Sequence, residues 1–307
     1  MGRVVFLGAS LMDMNLRLDR LPRPGETRLG SRFFTSTGGK GANQAVAARR
    51  AGAEVTFLTA FGDDAYGLRM RDRYFAEGID LRHVRMGEAE PSGVALILVG
   101  EDGENLIGVA MGPNARLSPG AIDDLPAEVF EGGVLLASLE VPFDTVLRAI
   151  ERADLAGMTV VLNPAPAPSA LAGHAILARV DVLTPNRGEA EVLAGSGPAG
   201  AAQLAGALRA AGAGAVVLTL GSEGCLVADG SGSVVIPAFP VEAVDTVGAG
   251  DAFNGVLAAA LAEGLGLAEA ATRANAAAAV AVTQPGAQGA LPSRAEIDRM
   301  VASRPRA

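Results

Sequence analysis

Short apolar runs alternate with longer helical segments along most of the chain. Apolar runs bounded by glycine or proline are typical of strands that are buried on both faces. The predicted strands cover residues 4–7, 55–58, 134–136, 159–162, 181–184 and 216–220, with two more around Cys225 and Val234. The predicted helices cover residues 40–50, 65–76, 144–155, 188–194, 201–211, 251–263 and 267–283. This order predicts an α/β fold, with a doubly wound, mostly parallel sheet flanked by helices.

Two segments, residues 13–37 and 92–111, interrupt this rhythm. In residues 13–37 apolar residues alternate with polar ones, which is typical of short strands with two different faces. Residues 93–99 and 105–110 are predicted to form a second β pair around a hairpin-like turn at residues 101–104. We expect both segments to fold together as a small β-sheet lid over the carboxyl edge of the main sheet. Residues 1–307 are then predicted to form a single α/β domain that carries this lid. Because the edges of the lid can pair with a second subunit, we expect a homodimer through the lid.

The charge balance and the cysteine content narrow the range of partners and compartments. Lysine and arginine number 25 against 34 acidic residues, which gives a net charge of −9. Since no basic stripe stands out, this balance argues against nucleic acid as a partner. The single cysteine, Cys225, excludes an internal disulfide and fits a reducing compartment. No apolar run approaches the roughly 20 residues that span a bilayer and no signal-peptide pattern is present, so we expect no membrane partner and a cytoplasmic location.

Residues 245–255 combine features that point to phosphate chemistry. The segment leaves a predicted strand, contains small residues that let backbone approach a ligand, and places Asp251 in the first turn of a helix. A helix start attracts anions, so a carboxylate there is unfavourable for simple phosphate binding. It is useful if it accepts a proton from a hydroxyl that attacks phosphorus. From this segment alone, a glycine-rich turn with an acidic helix cap is the alternative.

Residues 38–44 form a second candidate element, with the sequence Gly-Gly-Lys-Gly-Ala-Asn-Gln. It is not a P-loop, because Gly41 follows the lysine where that motif requires serine or threonine. The segment can bring backbone close to a small polar ligand, with Lys40 and Asn43 supplying hydrogen-bond donors. A glycine-rich helix start without a ligand is the alternative.

Together, residues 38–48 and 245–255 resemble the two signature regions of the ribokinase-like (PfkB) carbohydrate kinases. The resemblance extends from Gly8 to about Pro292, and the ribokinase branch is the most similar. It implies an ATP-dependent kinase that phosphorylates a primary hydroxyl of a small sugar, with a pentose such as D-ribose, phosphorylated at O5, as the first choice. The alternative acceptors are 2-deoxyribose, another sugar, a sugar acid or a nucleoside. A different class is a non-catalytic protein that senses sugars or nucleotides.

The resemblance also implies roles for individual residues. Asp251 aligns with the catalytic base of the family, and Gly248, Ala249 and Gly250 align with its anion hole at a helix N-terminus. Such a site suits a loose phosphoryl-transfer transition state. The positions that match sugar-contacting residues are Asp13, Gly39, Lys40, Asn43, Glu140 and Asp251.

The same resemblance implies a binding site for ATP and Mg²⁺. Asn186 and Glu189 match an Asn-x-x-Glu motif of the family, in which Glu189 helps to hold Mg²⁺ through water. By sequence alone, this spacing is also that of a helix capping box. The other nucleotide-binding positions are Thr219, Gly221 and Gly224 in a loop after a strand, and Asn275 at the expected adenine wall.

A monovalent-cation site is implied beside the anion hole. Asp245, together with the backbone carbonyls of Val247, Ala281 and Gly286, matches the family's site for an activating K⁺. Ala290 stands where ribokinases often carry a serine ligand, so we expect a weakened site.

Leu11 is the most informative departure from the family pattern. Ribokinases typically carry asparagine there, where it hydrogen-bonds a sugar hydroxyl. A hydroxyl buried against leucine loses a partner, which costs roughly 1–3 kcal/mol and lowers ribose affinity about ten- to hundredfold. We therefore expect the site to tolerate or prefer a sugar with an apolar edge, such as 2-deoxyribose.

Overall fold

The computed structural model of the protein describes residues 2–87, 89–195 and 200–304. Its strands are β1 (Arg3–Leu7), β2 (Leu11–Arg17), β3 (Arg32–Gly38), β4 (Glu54–Leu58), β5 (Ala60–Gly62), β6 (Arg85–Gly87), β7 (Val94–Val99), β8 (Asn105–Ala110), β9 (Val134–Ser138), β10 (Thr159–Asn163), β11 (Val182–Leu183), β12 (Ala215–Thr219), β13 (Cys225–Asp229) and β14 (Gly232–Ile236). Its α-helices are α1 (Lys40–Arg50), α2 (Ala65–Ala76), α3 (Pro119–Asp123), α4 (Phe143–Leu155), α5 (Arg187–Ala194), α6 (Ala201–Ala210), α7 (Ala249–Ala262), α8 (Leu267–Ala281) and α9 (Arg294–Ala302).

The main sheet has eight strands in the order β14-β13-β12-β11-β10-β9-β1-β4. The strands from β12 to β4 pair in parallel, whereas β13 and β14 continue the sheet in antiparallel pairs. The strand order reverses at β1, which has β4 on one side and β9 on the other. A crevice that can bind a ligand forms at the carboxyl ends of parallel strands at such a point. The predicted doubly wound, mostly parallel sheet flanked by helices is confirmed.

Two apolar cores lie on opposite faces of the main sheet, and β1 contributes to both. Val4 and Phe6 belong to the core that includes α1, α7 and α8, whereas Val5 and Leu7 belong to the core that includes α4, α5 and α6. This alternation follows from the two-residue period of a strand. Cys225 is fully buried in the first of these cores, which confirms its predicted place in a buried strand.

The two segments that interrupt the α/β rhythm meet in a separate four-stranded sheet, the lid sheet, with the order β3-β2-β7-β8. In it β2 pairs with β7 in parallel and with β3 in antiparallel, and β7 pairs with β8 in antiparallel. The expected association of the two segments is confirmed, although β2 begins at Leu11 rather than at residue 13. That this sheet covers a site, and that the chain acts as one domain, stay predictions.

Helix α9, the short helix α3 and the small parallel pair of β5 and β6 are not among the predicted elements. Helix α9 had a readable signal, because Ser293 and Glu296 form a capping box at its start. The strands β5 and β6 are too short for a periodic pattern to identify them. None of the helices in the described ranges combines the length and apolar character needed to cross a membrane.

Helices α1 and α7 pack with their backbones in direct contact at Gly255. A Cβ atom at this position would lie 2.3 Å from the carbonyl oxygen of Gln44, so the approach requires glycine. The contact places the N-terminal turns of the two helices, and with them the two signature regions, side by side.

Candidate active site

The carboxylate of Asp251 lies between the first turns of α7 and α1. Its Oδ2 accepts a hydrogen bond from Asn43 Nδ2 at 2.8 Å, and its Oδ1 accepts one from Gln44 Nε2 at 3.0 Å. Burial raises the pKa of Asp251, while the Asn43 hydrogen bond, the Lys40 charge and the Gln44 hydrogen bond oppose that rise. Asp251 is thus an oriented carboxylate with a raised proton affinity, which suits a general base.

Two further carboxylates, Asp13 on β2 and Glu140 after β9, lie close to Asp251. Burial raises the pKa of Asp13 to about 7, and the charges of Glu140 and Asp251 add to the effect. Burial also raises the pKa of Glu140, against the charge and backbone N–H of Lys40. The Lys40 N–H donates to Glu140 Oε2 at 2.7 Å, and Lys40 Nζ lies 3.8 Å from Glu140 Oε1. This group of carboxylates around one lysine presents several acceptors to a ligand rich in hydroxyls.

Glycines make room for these side chains. A Cβ atom on Gly38 would lie 2.1 Å from Asp13 Oδ2. Gly39, the N-cap of α1, has a φ of 89°, in the left-handed region that glycine adopts without strain. The glycine pair therefore lets the Asp13 carboxylate lie against the start of α1.

The side-chain oxygen of Asn43 is buried and accepts no hydrogen bond from the described residues. A buried acceptor without a donor costs about 1–3 kcal/mol, so a ligand hydroxyl that donates to it is favoured. The nitrogen of the same amide is committed to Asp251. Asn43 can therefore link a bound hydroxyl to the carboxylate.

The predicted anion-hole residues form the start of α7. Gly248 is the N-cap, with a φ of 80°, and the helix begins at Ala249. The N–H groups of Gly250 and Asp251 have no acceptor among the described residues, as is usual in a first helical turn. These N–H groups and the helix dipole favour an anion at this position.

Four of the predicted nucleotide-binding residues line one cavity of about 330 Å³, whereas Asn186 and Glu189 are not part of its lining. Its lining includes Thr219, Gly221, Gly224 and Asn275, and also Ala249 and Gly250 from the start of α7. Large apolar side chains, such as Phe239 and Phe253, form much of the wall. A flat, mostly apolar group such as a nucleobase can bind here, with its phosphates directed to the helix start.

Asn275 lies at this cavity but directs its amide nitrogen elsewhere. Asn275 Nδ2 donates to the carbonyl oxygen of Ile236 at 3.0 Å. The side chain is buried and ties α8 to the end of β14. The side-chain N–H group of Asn275 therefore holds the cavity wall in place. This role is additional to the predicted position of Asn275 at the adenine wall.

Asn186 and Glu189 form the capping box at the start of α5. The Glu189 N–H donates to Asn186 Oδ1 at 2.9 Å, and the Asn186 N–H donates to Glu189 Oε2 at 2.8 Å. Burial raises the pKa of Glu189, and Lys40 is the charged group that opposes this rise. Within residues 2–87, 89–195 and 200–304, no three acidic, histidine or cysteine side chains cluster so that they could hold a metal ion. A single carboxylate, Glu189, is what Mg²⁺ requires where water and phosphates supply most of its ligands.

The predicted cation-site residue Asp245 joins two loops. Its Oδ1 accepts from the Val247 N–H at 3.0 Å, and its Oδ2 accepts from the Gly286 N–H at 2.8 Å. The structure thus brings Asp245, Val247 and Gly286 together beside the anion-hole turn. The carbonyl oxygen of Ala281, at the end of α8, accepts from the Gln284 N–H. The methyl group of buried Ala290 adds no ligand atom, and the binding of K⁺ stays a prediction.

Leu11 lies on the same face of β2 as Asp13, since side chains two residues apart share a face. It is buried, and its register partner is Gly38. Its side chain packs against Gly93, where a Cβ atom would lie 2.5 Å from Leu11 Cδ2. Leu11 therefore places an apolar side chain on the face of β2 that carries Asp13.

Gln44 is the contact that sequence reasoning missed. It follows Asn43 in the second signature region, and helical spacing alone does not predict that both amides reach one carboxylate. A signal for Gln44 was present in the sequence, because its side-chain amide directly follows that of Asn43 on a helix of mostly small apolar residues.

Comparison with known proteins identifies relatives of similar length. Residues 1–294 match the family model described as pfkB family carbohydrate kinase. The ribokinase of Haemophilus influenzae is 39% identical over 293 residues, covering 94% of this chain and 95% of that protein. The deoxyribokinase of Salmonella typhimurium is 34% identical over 293 residues, with coverage of 94% and 95%.

Solved structures agree with these relatives. The ribokinase of Thermotoga maritima has a TM-score of 0.90 at 32% identity and covers 99% of this chain and 100% of its own. The ribokinase of Arabidopsis thaliana, solved in complex with ribose and ATP, has a TM-score of 0.88 at 28% identity, with coverage of 98% for both chains.

Proposed function

The chain belongs to the pfkB family of carbohydrate kinases, and we propose that it transfers the γ-phosphoryl group of ATP to the primary hydroxyl of a pentose. D-ribose, phosphorylated at O5, is the first candidate acceptor. The relatives named ribokinase and the Arabidopsis complex with ribose and ATP support this choice.

The observation that carries the proposal is the position of Asp251. Its carboxylate stands between a cluster of hydroxyl-binding groups, Asp13, Asn43 and Glu140, and the helix start that borders the apolar cavity. A sugar on one side and a nucleotide on the other would meet at this residue.

The proposed chemistry begins at the acceptor hydroxyl. Asp251 accepts its proton as the oxygen attacks phosphorus, and burial favours this step by raising the pKa of Asp251. The N–H groups of Gly250 and Asp251 bind the charge of the transferred group, and Lys40 adds a positive charge nearby. Asp13 and Glu140 hold other hydroxyls of the sugar.

Two metal ions complete the proposal. Mg²⁺ neutralises charge on the phosphates when it is bound, and Glu189 is the carboxylate that would hold it through water. Asp245, with the carbonyls of Val247, Ala281 and Gly286, would hold K⁺. The two loops that Asp245 joins support this assignment.

The test of the proposed function is ADP release from ATP with a panel of pentoses, hexoses and nucleosides. Asp251→Asn should keep sugar and ATP binding but lose turnover by at least about a thousandfold, because the proton acceptor is removed. Binding is measured by calorimetry and turnover by coupled ADP release. Near-normal turnover of this variant would contradict the role of Asp251 as base.

A second acceptor, 2-deoxyribose, is favoured by Leu11. The buried side chain of Leu11 has no hydrogen-bonding group on the face of β2 that carries Asp13. A ribose hydroxyl placed against it would lose a hydrogen-bond partner, whereas a sugar without that hydroxyl loses none. The relatives named deoxyribokinase support this alternative.

The comparison of the two sugars is made in the wild type and in Leu11→Asn. The wild type should use 2-deoxyribose at least as efficiently as ribose, and the variant should gain about ten- to hundredfold for ribose relative to 2-deoxyribose. The measured quantity is kcat/KM for each sugar. A strong preference for ribose in the wild type, unchanged by the substitution, would remove this candidate.

The lid sheet supports a homodimer. Its outer strands expose large apolar side chains, with Phe33 63%, Leu106 57% and Ile107 53% exposed. Large exposed apolar side chains at both edges of one sheet are typical of an interaction surface. A need for ATP and one buried thiol, Cys225, support action in the cytoplasm.

A further inference from the structure

A chain of buried side-chain hydrogen bonds leads away from the Asp251 carboxylate. Gln44 Nε2 donates to Asp251 Oδ1 and also to Asn163 Oδ1, both at 3.0 Å. Asn163 Nδ2 then donates to the carbonyl oxygen of Thr184 at 2.9 Å. The carboxylate is thereby linked to the carboxyl ends of two strands of the main sheet, β10 and β11.

The same chain returns to the helix that carries Asp251. Thr184 Oγ1 donates to Asn254 Oδ1 at 2.5 Å. Asn254 Nδ2 donates to the carbonyl oxygen of Gly250 at 2.8 Å. Because Gly250 is in the anion-hole turn, one circuit joins that turn to the base.

Burial makes the orientation of this circuit well defined. Gln44, Asn163, Thr184 and Asn254 are all buried. A flipped Gln44 amide would place its oxygen against the Asp251 carboxylate and the Asn163 oxygen, where it has nothing to accept. A flipped Asn163 amide would likewise place its oxygen against the Thr184 carbonyl. The neighbours therefore hold Gln44 with its donor directed to Asp251.

We propose that Gln44, Asn163, Thr184 and Asn254 form a base-support network. The network holds the Asp251 carboxylate in the orientation in which it accepts a proton, in fixed relation to the anion-hole turn. Its members are positioning residues, since they are buried and act through the Asp251 carboxylate and the Gly250 carbonyl. The inference rests on the proposed function of Asp251.

A donor on a carboxylate stabilises its ionised form. Without Gln44 Nε2, burial of Asp251 is opposed only by Asn43 and Lys40, so the carboxylate gains protons at a higher pH. The other titratable groups that face it are Asp13 and Glu140. None of these groups changes in the experiment.

The experiment compares Gln44→Met and Thr184→Val with the control Thr145→Val. Methionine has nearly the length of glutamine but donates no hydrogen bond. Thr145 is a buried threonine, as Thr184 is, but it lies outside the network. Its hydroxyl donates a hydrogen bond to the Leu117 carbonyl oxygen at 2.6 Å. The readouts are kcat and KM against pH, and the melting temperature.

In Gln44→Met, kcat should fall by about tenfold or more at pH 7 with little change in the KM for sugar. The acid limb of its kcat profile should move to higher pH. Thr184→Val should shift in the same direction by less, whereas Thr145→Val should lose stability only. The network would be overturned if folded Gln44→Met kept the kcat and the acid limb of the wild type. It would also be overturned if Thr145→Val shifted the acid limb as much as Thr184→Val does. If Gln44→Met fails to fold, the comparison of Thr184→Val with Thr145→Val decides.

A wild type without turnover would overturn the proposed function but leave this inference open to a separate measurement. The Asp251 carboxyl is titrated by carbon-13 NMR in protein labelled at aspartate, with its signal assigned from the spectrum of Asp251→Asn. A higher titration midpoint in Gln44→Met supports the network, and an unchanged midpoint rejects it.

Discussion

The carboxyl group of Asp13 takes up protons more readily in the folded protein than in the unfolded chain. Burial, Glu140 and Asp251 raise its pKa from 3.8 to about 7. Between these values the folded state binds the extra proton, so stability falls as the pH rises through this window. A residue suited to bind hydroxyls when ionised therefore weakens the fold at neutral pH.

Asp13→Asn should accordingly be more stable than the wild type, by about 2–4 °C in melting temperature at pH 8, and the gain should be smaller at pH 5. The KM for sugar should rise about tenfold or more, because a charged acceptor is lost. Thermal melts at the two pH values and sugar kinetics measure these effects. The control is Asp72→Asn, at an exposed aspartate that pairs with Arg71. An equal gain in the melting temperature of Asp13→Asn at both pH values would contradict this prediction.

At the scale of elements, the segment after β14 forms a wall of the cavity that we propose for ATP, and Arg304 contacts this segment. Arg304 Nη2 donates to the carbonyl oxygen of Pro237 at 2.5 Å. The guanidinium carbon of Arg304 also lies 4.5 Å from the centre of the Phe239 ring, which lines the cavity. A residue just after α9 thus helps to position a wall of the cavity that we propose for ATP.

Arg304→Ala should raise the KM for ATP about three- to tenfold, as expected when a hydrogen bond and a cation–π contact are lost. The KM for sugar and kcat should stay within about twofold, because the sugar side is not altered. Steady-state kinetics with each substrate varied separately measure the split. Arg299→Ala, an exposed position on α9, is the control, and equal changes in both KM values would argue for a general loss of structure.

Element boundaries show how far local sequence can predict this fold. The helix expected at 251–263 is found at Ala249–Ala262, because the left-handed Gly248 caps it earlier than the apolar pattern indicates. The expected helix 40–50 is found with those bounds, since it follows a glycine pair and ends in arginines. Where glycines flank an apolar run, the local sequence is sufficient to predict the bounds of the element.

At the scale of the whole molecule, the contacts that make the site join distant parts of the chain. Gln44 and Asp251 are 207 residues apart in sequence, and Asn163 lies 119 residues from Gln44. The resemblance of two motifs predicted that residues 43 and 251 serve one site. Gln44 had a local signal in the amide that precedes it, but the contacts of Asn163 and Asn254 could not be predicted, because they depend on how four separate elements converge.

The exposed apolar side chains of the lid sheet predict the oligomeric state. Leu106 and Ile107 are neighbours on β8, so they point to opposite faces of the sheet. The wild type should be a dimer by light scattering, and lysine at one of these two positions should give a monomer, because a charge in an apolar interface is unfavourable. The variant that dissociates identifies the buried face. A dimer that persists in both variants would rule out association through the lid.

The close approach of α1 and α7 at Gly255 has a consequence for motion. Two helices whose main chains touch cannot slide past one another without a clash, so Asp251 and Asn43 move as parts of one rigid unit. We therefore expect any closure around a substrate to bring the lid sheet toward a stationary Asp251. Amide protons of these two helices should exchange slowly in the presence and absence of ligand, while those of the lid should respond to it.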